Sequence, residues 1–271
     1  MNIAILTSPY CKTATLTFFY FLFKRKKISI FIVESEIRTS FTDIQMKFIK
    51  NHTLLESYEL NRKNISPQYI YSLILFYFVN KLTNLLNLFF WENIHTFEKI
   101  IGFSTIYTTR HSSAKTVSSL KLNSISYALL TSSQWILTKK FLNSTDTTII
   151  NIHPGRLPKH RSLDSNPWAL LQGETPYLSS HIIDSGIDTG PIIKKSEVKI
   201  LDQDFLTFIN LRYKWLNARE FFDSYQLLQN GCSLHDQKAI EGKHHYPMSF
   251  EELRQVSHVI RKFNPKNLKT Y

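Results

Sequence analysis

The run Thr147-Thr148-Ile149-Ile150-Asn151-Ile152 is β-branched almost throughout and is cut off by His153-Pro154-Gly155. Proline and glycine do not continue a central strand, so the run predicts a strand that stops abruptly. Side chains two apart on an extended segment share a face, so Asn151 and His153 point the same way at the strand's carboxyl end. Open α/β sheets hold their ligands there. Ser179 to Ile183 reads as another strand, and Asp184-Ser185-Gly186 turns it into Ile187-Asp188-Thr189-Gly190-Pro191. Four of the seven glycines, Gly155, Gly173, Gly186 and Gly190, fall between residues 155 and 190. A chain this poor in glycine keeps it for backbone that must turn sharply or approach a ligand. Asp188, on backbone so constrained, can meet His153.

The segment Asn151-Ile152-His153-Pro154-Gly155-Arg156-Leu157-Pro158, followed by Gly173-Glu174 and Ile187-Asp188-Thr189-Gly190-Pro191-Ile192, resembles the signature of the folate-dependent formyltransferases. That superfamily includes glycinamide ribonucleotide, methionyl-tRNA and sugar N-formyltransferases. The likeness is strongest over residues 125–200, weaker before them and unclear beyond about residue 230. It implies an α/β, Rossmann-like fold with a mostly parallel twisted sheet flanked by helices. The catalytic domain is expected over residues 1–200 and a short, mainly helical extension over 201–271. The resemblance also implies Asn151, His153 and Asp188 as the catalytic trio, 10-formyltetrahydrofolate as cosubstrate, and no metal. Its pterin would lie between Gln134-Trp135-Ile136-Leu137 on one side and Ile183, Asp184 and Gly186 on the other, held largely by main-chain groups. Trp135 is either packing or contact.

Met1 to Ser8 reads as a first strand with no signal peptide before it. A helix over Ala14–Phe23, with Lys24-Arg25-Lys26-Lys27 favourable to its dipole, leads to a second strand at Ile28–Glu34. The superfamily member acting on glycinamide ribonucleotide carries glycines after the first strand. Here Ser8-Pro9-Tyr10-Cys11-Lys12 stands instead, which counts against that type of phosphate nest and leaves Ser8 and Lys12 as candidate side-chain contacts to an acceptor anion. Past the catalytic strand, where many relatives carry Arg-Gly, the chain has Lys159-His160-Arg161-Ser162. His160 and Arg161 are either substrate contacts or solvated loop charges, and Asp164 is a candidate helix cap.

Tyr69 to Phe90 is the most apolar stretch, interrupted by Asn80, Lys81, Asn84 and Asn87. It predicts a buried amphipathic helix rather than a transmembrane segment, with peripheral membrane attachment or a homodimer interface as alternatives. A net charge of +12, from 33 Lys plus Arg against 21 Asp plus Glu, favours anionic partners. Cys11 and Cys232 show neither disulfide nor metal-ligand spacing, which suits a cytoplasmic protein. Two helices, or one bent one, are expected over 205–228 and another over 250–263. The vicinal His244-His245 pair is poor metal geometry. These residues are too few for the β-barrel that methionyl-tRNA formyltransferases add.

By elimination, the expected acceptor is a nucleotide-linked amino sugar of the dTDP-4-amino-4,6-dideoxyglucose type, with no nucleic acid partner. Methionyl-tRNA, glycinamide ribonucleotide and a hydroxyornithine-type amino acid remain alternatives. Outside enzymes, the alternative is a basic RNA- or membrane-binding relative that retains only the fold.

Overall fold

The computed structural model describes residues 2–34, 43–60, 67–133, 135–201, 204–238 and 241–261. In chain order the first half runs β1 (Asn2–Thr7), α1 (Lys12–Phe23), β2 (Ile30–Glu34), α2 (Asp43–Leu60), α3 (Pro67–Glu92), α4 (Ile94–Phe97), β3 (Ser104–Thr108), α5 (Ala114–Leu122), β4 (Ile125–Leu130) and α6 (Lys139–Leu142). The second half runs β5 (Thr148–His153), β6 (His160–Ser162), α7 (Ser165–Leu171), β7 (Tyr177–Ile182), β8 (Ile192–Glu197), α8 (Leu206–Gln229), β9 (Lys243–His245) and α9 (Phe250–Arg261).

Seven strands form one sheet in the order β3-β2-β1-β4-β5-β7-β8, parallel from β3 to β5 and antiparallel at β7 and β8. β1 and β2 are buried nearly end to end, as parallel strands covered on both faces must be. Alternate residues serve opposite layers: Ile3 and Ile5 join the core beneath α1 and α8, whereas Ala4 and Leu6 join the one beneath α5 and α6. The strand order reverses between β1 and β4, and that reversal opens a crevice at the carboxyl ends of the strands.

The first core is rich in phenylalanine. The Phe18 ring lies 5.6 Å from Phe31, 5.0 Å from Phe90 and 5.3 Å from Phe103. This core contains side chains from Ile3 through to Ile260, so the C-terminal helices share it with the sheet. α8 is one continuous helix packed along α1, β5 and β7. Its N-terminus is capped from α2: the buried Glu59 carboxylate accepts from the N–H groups of Leu206 (3.0 Å) and Thr207 (3.2 Å), and from Ser257 Oγ (2.6 Å).

α3 corrects the expectation of a buried helix. Its inner face is anchored through Tyr69 and Phe76, which pack on Phe205, Phe208 and Leu211. Two polar residues complete that face. Thr83 Oγ1 accepts from Trp215 Nε1 at 3.2 Å, while Asn87 donates to the Tyr10 carbonyl at 2.8 Å and accepts from Thr15 at 2.7 Å. The outer face, from Ile70 to Phe89, is largely apolar and exposed. Among the described residues, protein covers α3 on one side only, and apolar side chains dominate the side left exposed as well.

Candidate active site

β5 delivers Asn151 and His153 to one face of the sheet, and the antiparallel pairing with β7 sets His181 opposite Asn151. Directly opposed residues of an antiparallel pair project to the same side, so a third polar group enters the site. His181 Nε2 lies 3.1 Å from Asn151 Nδ2. The loop after β7 then folds across this face. Asp188, in the left-handed region at φ 54°, brings Oδ2 to 3.3 Å from His153 Nδ1 and Oδ1 to 3.5 Å from His181 Nε2. Ser162 donates its N–H to Asp188 Oδ2 at 3.0 Å. Gln237 Nε2 holds the same loop through the carbonyls of Asp188 and Gly190, at 3.2 and 2.6 Å. Only glycine fits at 190, because a Cβ there would stand 1.9 Å from the Ile182 carbonyl oxygen.

The hydrogen-bond partners assign the neutral tautomers. His153 Nε2–H donates to the His160 carbonyl at 2.9 Å, which leaves the Nδ1 lone pair facing Asp188. His181 Nδ1–H donates to the Ile182 carbonyl at 3.1 Å, which leaves Nε2 to accept from the Asn151 amide. Burial pushes His153 below its ordinary pKa, with Asp188 opposing and His181 assisting. Burial alone would raise Asp188, but His153, His181 and the Ser162 N–H outweigh it and hold the carboxyl well below the usual range. Near neutral pH the site therefore carries a neutral imidazole beside an ionised carboxylate.

His153 and Asp188 border a cavity of about 820 Å³, which Lys12, His52, Asn80 and Lys214 also line. Burial lowers both lysines. The neighbouring Lys214 lowers Lys12 further, and Glu56 opposes the shift in each.

The other expected site residues lie elsewhere. Ser8 accepts from Ser132 Oγ at 3.2 Å and does not line the cavity. His160 and Arg161 are corrections, since neither is a loop charge or a cavity wall: they are 2% and 1% exposed. β6 pairs in parallel with β9, and His160 Nδ1 meets His245 Nε2 at 2.9 Å while its Nε2 meets Glu174 at 3.0 Å. Arg161 donates to Gln237 Oε1 at 3.2 Å. Asp164 heads α7 without capping it; its carboxylate accepts from the Met248 N–H (2.9 Å) and pairs with His52 Nε2 (2.8 Å). Of the expected folate wall, Gln134 lies outside the described residues, Trp135 is half-buried beneath Arg110, and Ile136 is exposed. Leu137 turns its side chain into the second core, which leaves its main chain for any ligand contact.

The segments after β4 and β7 begin on either side of β5, since Leu130 stands opposite Asn151 and Ile182 opposite Ile150. In the second of them Asp184 Oδ1 accepts from the Gly186 N–H (3.0 Å) and Thr189 Oγ1 (2.7 Å), which braces the loop carrying Asp188.

His181, Lys214 and His52 were not anticipated. His181 is the single ionisable side chain of the strand read at 179–183, but its register against β5 has no signal in one sequence.

His245 is packed between the rings of His160 and Trp168, at 5.1 and 5.5 Å, and burial with the neighbouring His160 pushes it down to about 4. Between about pH 4 and 6.5 the unfolded chain binds this proton and the folded chain does not, so stability falls as pH drops through that window. Thermal unfolding at pH 7 and 4.5 should show a smaller acid-induced loss for His245→Phe than for the unsubstituted chain; equal losses would remove His245 as the cause.

A mostly parallel α/β sheet whose crevice gathers an imidazole, an amide donor and a carboxylate has the parts of an acid–base site. Residues 94–222 match the family model described as Formyl transferase. A methionyl-tRNA formyltransferase of Thermodesulfovibrio yellowstonii is 31% identical over 114 residues, covering 41% of this chain and 37% of that protein. Glycinamide ribonucleotide transformylase 1 from Symbiobacterium toebii shares the fold, with a TM-score of 0.54 and 14% identity over 88% of this chain and 94% of that one. The N-formyltransferase from Helicobacter canadensis, solved with folinic acid and dTDP-3-aminofucose, does so at a TM-score of 0.53 and 15% identity, covering 100% of this chain and 84% of that one. The match identifies residues 94–222, a little under half of the chain, with the formyl transferase family. The chain spans little more than a third of the length of the methionyl-tRNA relative it matches.

Proposed function

We propose that the protein transfers a formyl group from 10-formyltetrahydrofolate to the primary amine of an anionic acceptor, a nucleotide-linked amino sugar. The observation that carries this reading is the juxtaposition of the Asn151, His153, His181 and Asp188 cluster with a cavity lined by two half-buried lysines. At about 820 Å³ the cavity is at the upper end of small-molecule sites, which suits an acceptor larger than a simple amino acid. Lys12 and Lys214 supply the charge for its phosphates. The dTDP-sugar bound by the Helicobacter canadensis protein is of this chemical class.

The segments carrying Trp135 and Ile136 and carrying Ile183, Asp184 and Gly186 begin on either side of β5, and we assign the folate's pterin to the space between them, next to Asn151. 10-Formyltetrahydrofolate supplies an activated formyl carbon when bound there. The acceptor amine, uncharged, donates to His153 Nδ1 and Asp188 Oδ2, two adjacent acceptors that together orient one NH₂ group. As nitrogen attacks carbon, the second N–H of the Asn151 amide is free to meet the charge growing on oxygen, because its first is held by His181. A donor so placed is worth about 10²–10³ in rate. His153 Nδ1 takes the amine proton, Asp188 stabilises the imidazolium so formed, and the proton passes to the departing nitrogen as its bond to carbon breaks.

A panel of nucleotide-linked amino sugars with 10-formyltetrahydrofolate, read by mass spectrometry, should give a formamide and tetrahydrofolate. Turnover with glycinamide ribonucleotide and with no sugar would overturn the acceptor assignment. Lys12→Ala and Lys214→Ala should each raise the acceptor KM about tenfold or more while kcat stays within about threefold, since these charges bind ground and transition states alike. An unchanged KM would remove the lysines from the acceptor site.

A further inference from the structure

The exposed face of α3 has a period. Tyr71, Leu75, Phe78, Leu82, Leu85 and Phe89 are separated alternately by four and three residues, and each is between 38 and 69% exposed. That is a 3.5-residue repeat, the seam by which one helix packs along another, and no helix among the described residues covers it. With Ile70, Ile74, Tyr77 and Leu88 beside it, the face presents on the order of 10³ Å² of apolar side chain. A monomer's largest patch is typically about 300–600 Å², and one partner of a stable complex contributes about 800 Å².

We infer that this face is covered by α3 of a second copy of the chain, packed antiparallel about a two-fold axis. The seam is complementary to itself in that arrangement. Leu82 meets the partner's Phe78, Leu75 meets the partner's Leu85, and Phe89 meets the partner's Tyr71, so every layer joins two of the six side chains. The charge pattern agrees. Within Pro67–Glu92 the charged residues are Lys81 and the terminal Glu92, and Lys81 flanks the seam, where it can reach solvent. A helix lying on a membrane carries its basic residues along a polar outer face. Here the polar residues Thr83 and Asn87 face inward and are engaged with Trp215, Tyr10 and Thr15. The opposite side of the same helix brings Phe76 and Asn80 to the cavity, so the interface would back the acceptor site at a distance of one helix.

Sedimentation velocity of the full chain from low to high micromolar concentration should show a species of twice the chain mass. Phe78→Glu and Leu82→Glu, both at exposed positions, should each weaken association by about a hundredfold or more while leaving the far-UV spectrum and melting midpoint of the monomer intact. Lys81→Leu should tighten it. A monomer at every concentration, a dimer indifferent to both glutamates, or a monomer captured by phosphatidylserine vesicles through this face would each overturn the inference.

Discussion

Replacing His153 or Asp188 with Asn should lower turnover by at least about a hundredfold under conditions where chemistry limits the rate. His153→Asn removes the Nδ1 lone pair that takes the amine proton. Asp188→Asn is the more informative change, because an amide can place its oxygen where Oδ2 stands, keep the Ser162 N–H bond, and lose only the charge. Folate affinity should change far less in either variant, since neither residue belongs to the walls beside β5. The pH profile separates a catalytic role from a supporting one. Asp188 raises the pKa of His153 against the larger effect of burial. Without it the imidazole should protonate at still lower pH, so the acid limb of kcat should move downward in pH while the plateau falls. An Asp188→Asn enzyme that keeps more than about a third of wild-type turnover would return Asp188 to loop structure.

The parts of this molecule that were legible in the sequence are those set by local chemistry. The β-branched run ended by Pro154 and Gly155 marks β5, and the period of two puts Asn151 and His153 on one face. Contacts set by register and tertiary packing were not legible. His181 reaches Asn151 only because β7 runs antiparallel to β5 with those two residues opposed. His160 and Arg161 look like loop charges until the three-residue strand at Lys243–His245 pairs with them and buries both. Lys214 enters the cavity from a helix read only as part of an extension. α3 misleads for a different reason: its apolar composition suggests burial, but the helix turns Thr83 and Asn87 to its inner contacts and leaves many of its apolar side chains outside.

Gly155→Ala, a change that touches no reacting group, is expected to lower turnover by about a hundredfold. The φ angle at Gly155 is not in the left-handed region, so the effect is one of space. An added Cβ would stand 2.6 Å from His153 Nε2 and 2.6 Å from Ser165 Cβ, nearer than such contacts allow. The backbone has little freedom to yield, because the Gly155 carbonyl accepts from Ser179 Oγ at 2.6 Å and its N–H donates to the His153 carbonyl at 2.9 Å. The imidazole is therefore what moves. Turning it breaks the Nε2–H bond to the His160 carbonyl and takes Nδ1 away from Asp188, so both the tautomer and the aim of the base are lost. Overpacking of this kind also costs about 1–3 kcal/mol of stability, which a thermal melt would register. A double-mutant cycle isolates the cause: in a His153→Asn background, where the ring is gone, adding Gly155→Ala should lower turnover by less than about threefold. Two full and independent losses in that cycle, or near-normal activity for Gly155→Ala alone, would mean that the position of His153 is set by something other than the space Gly155 leaves it.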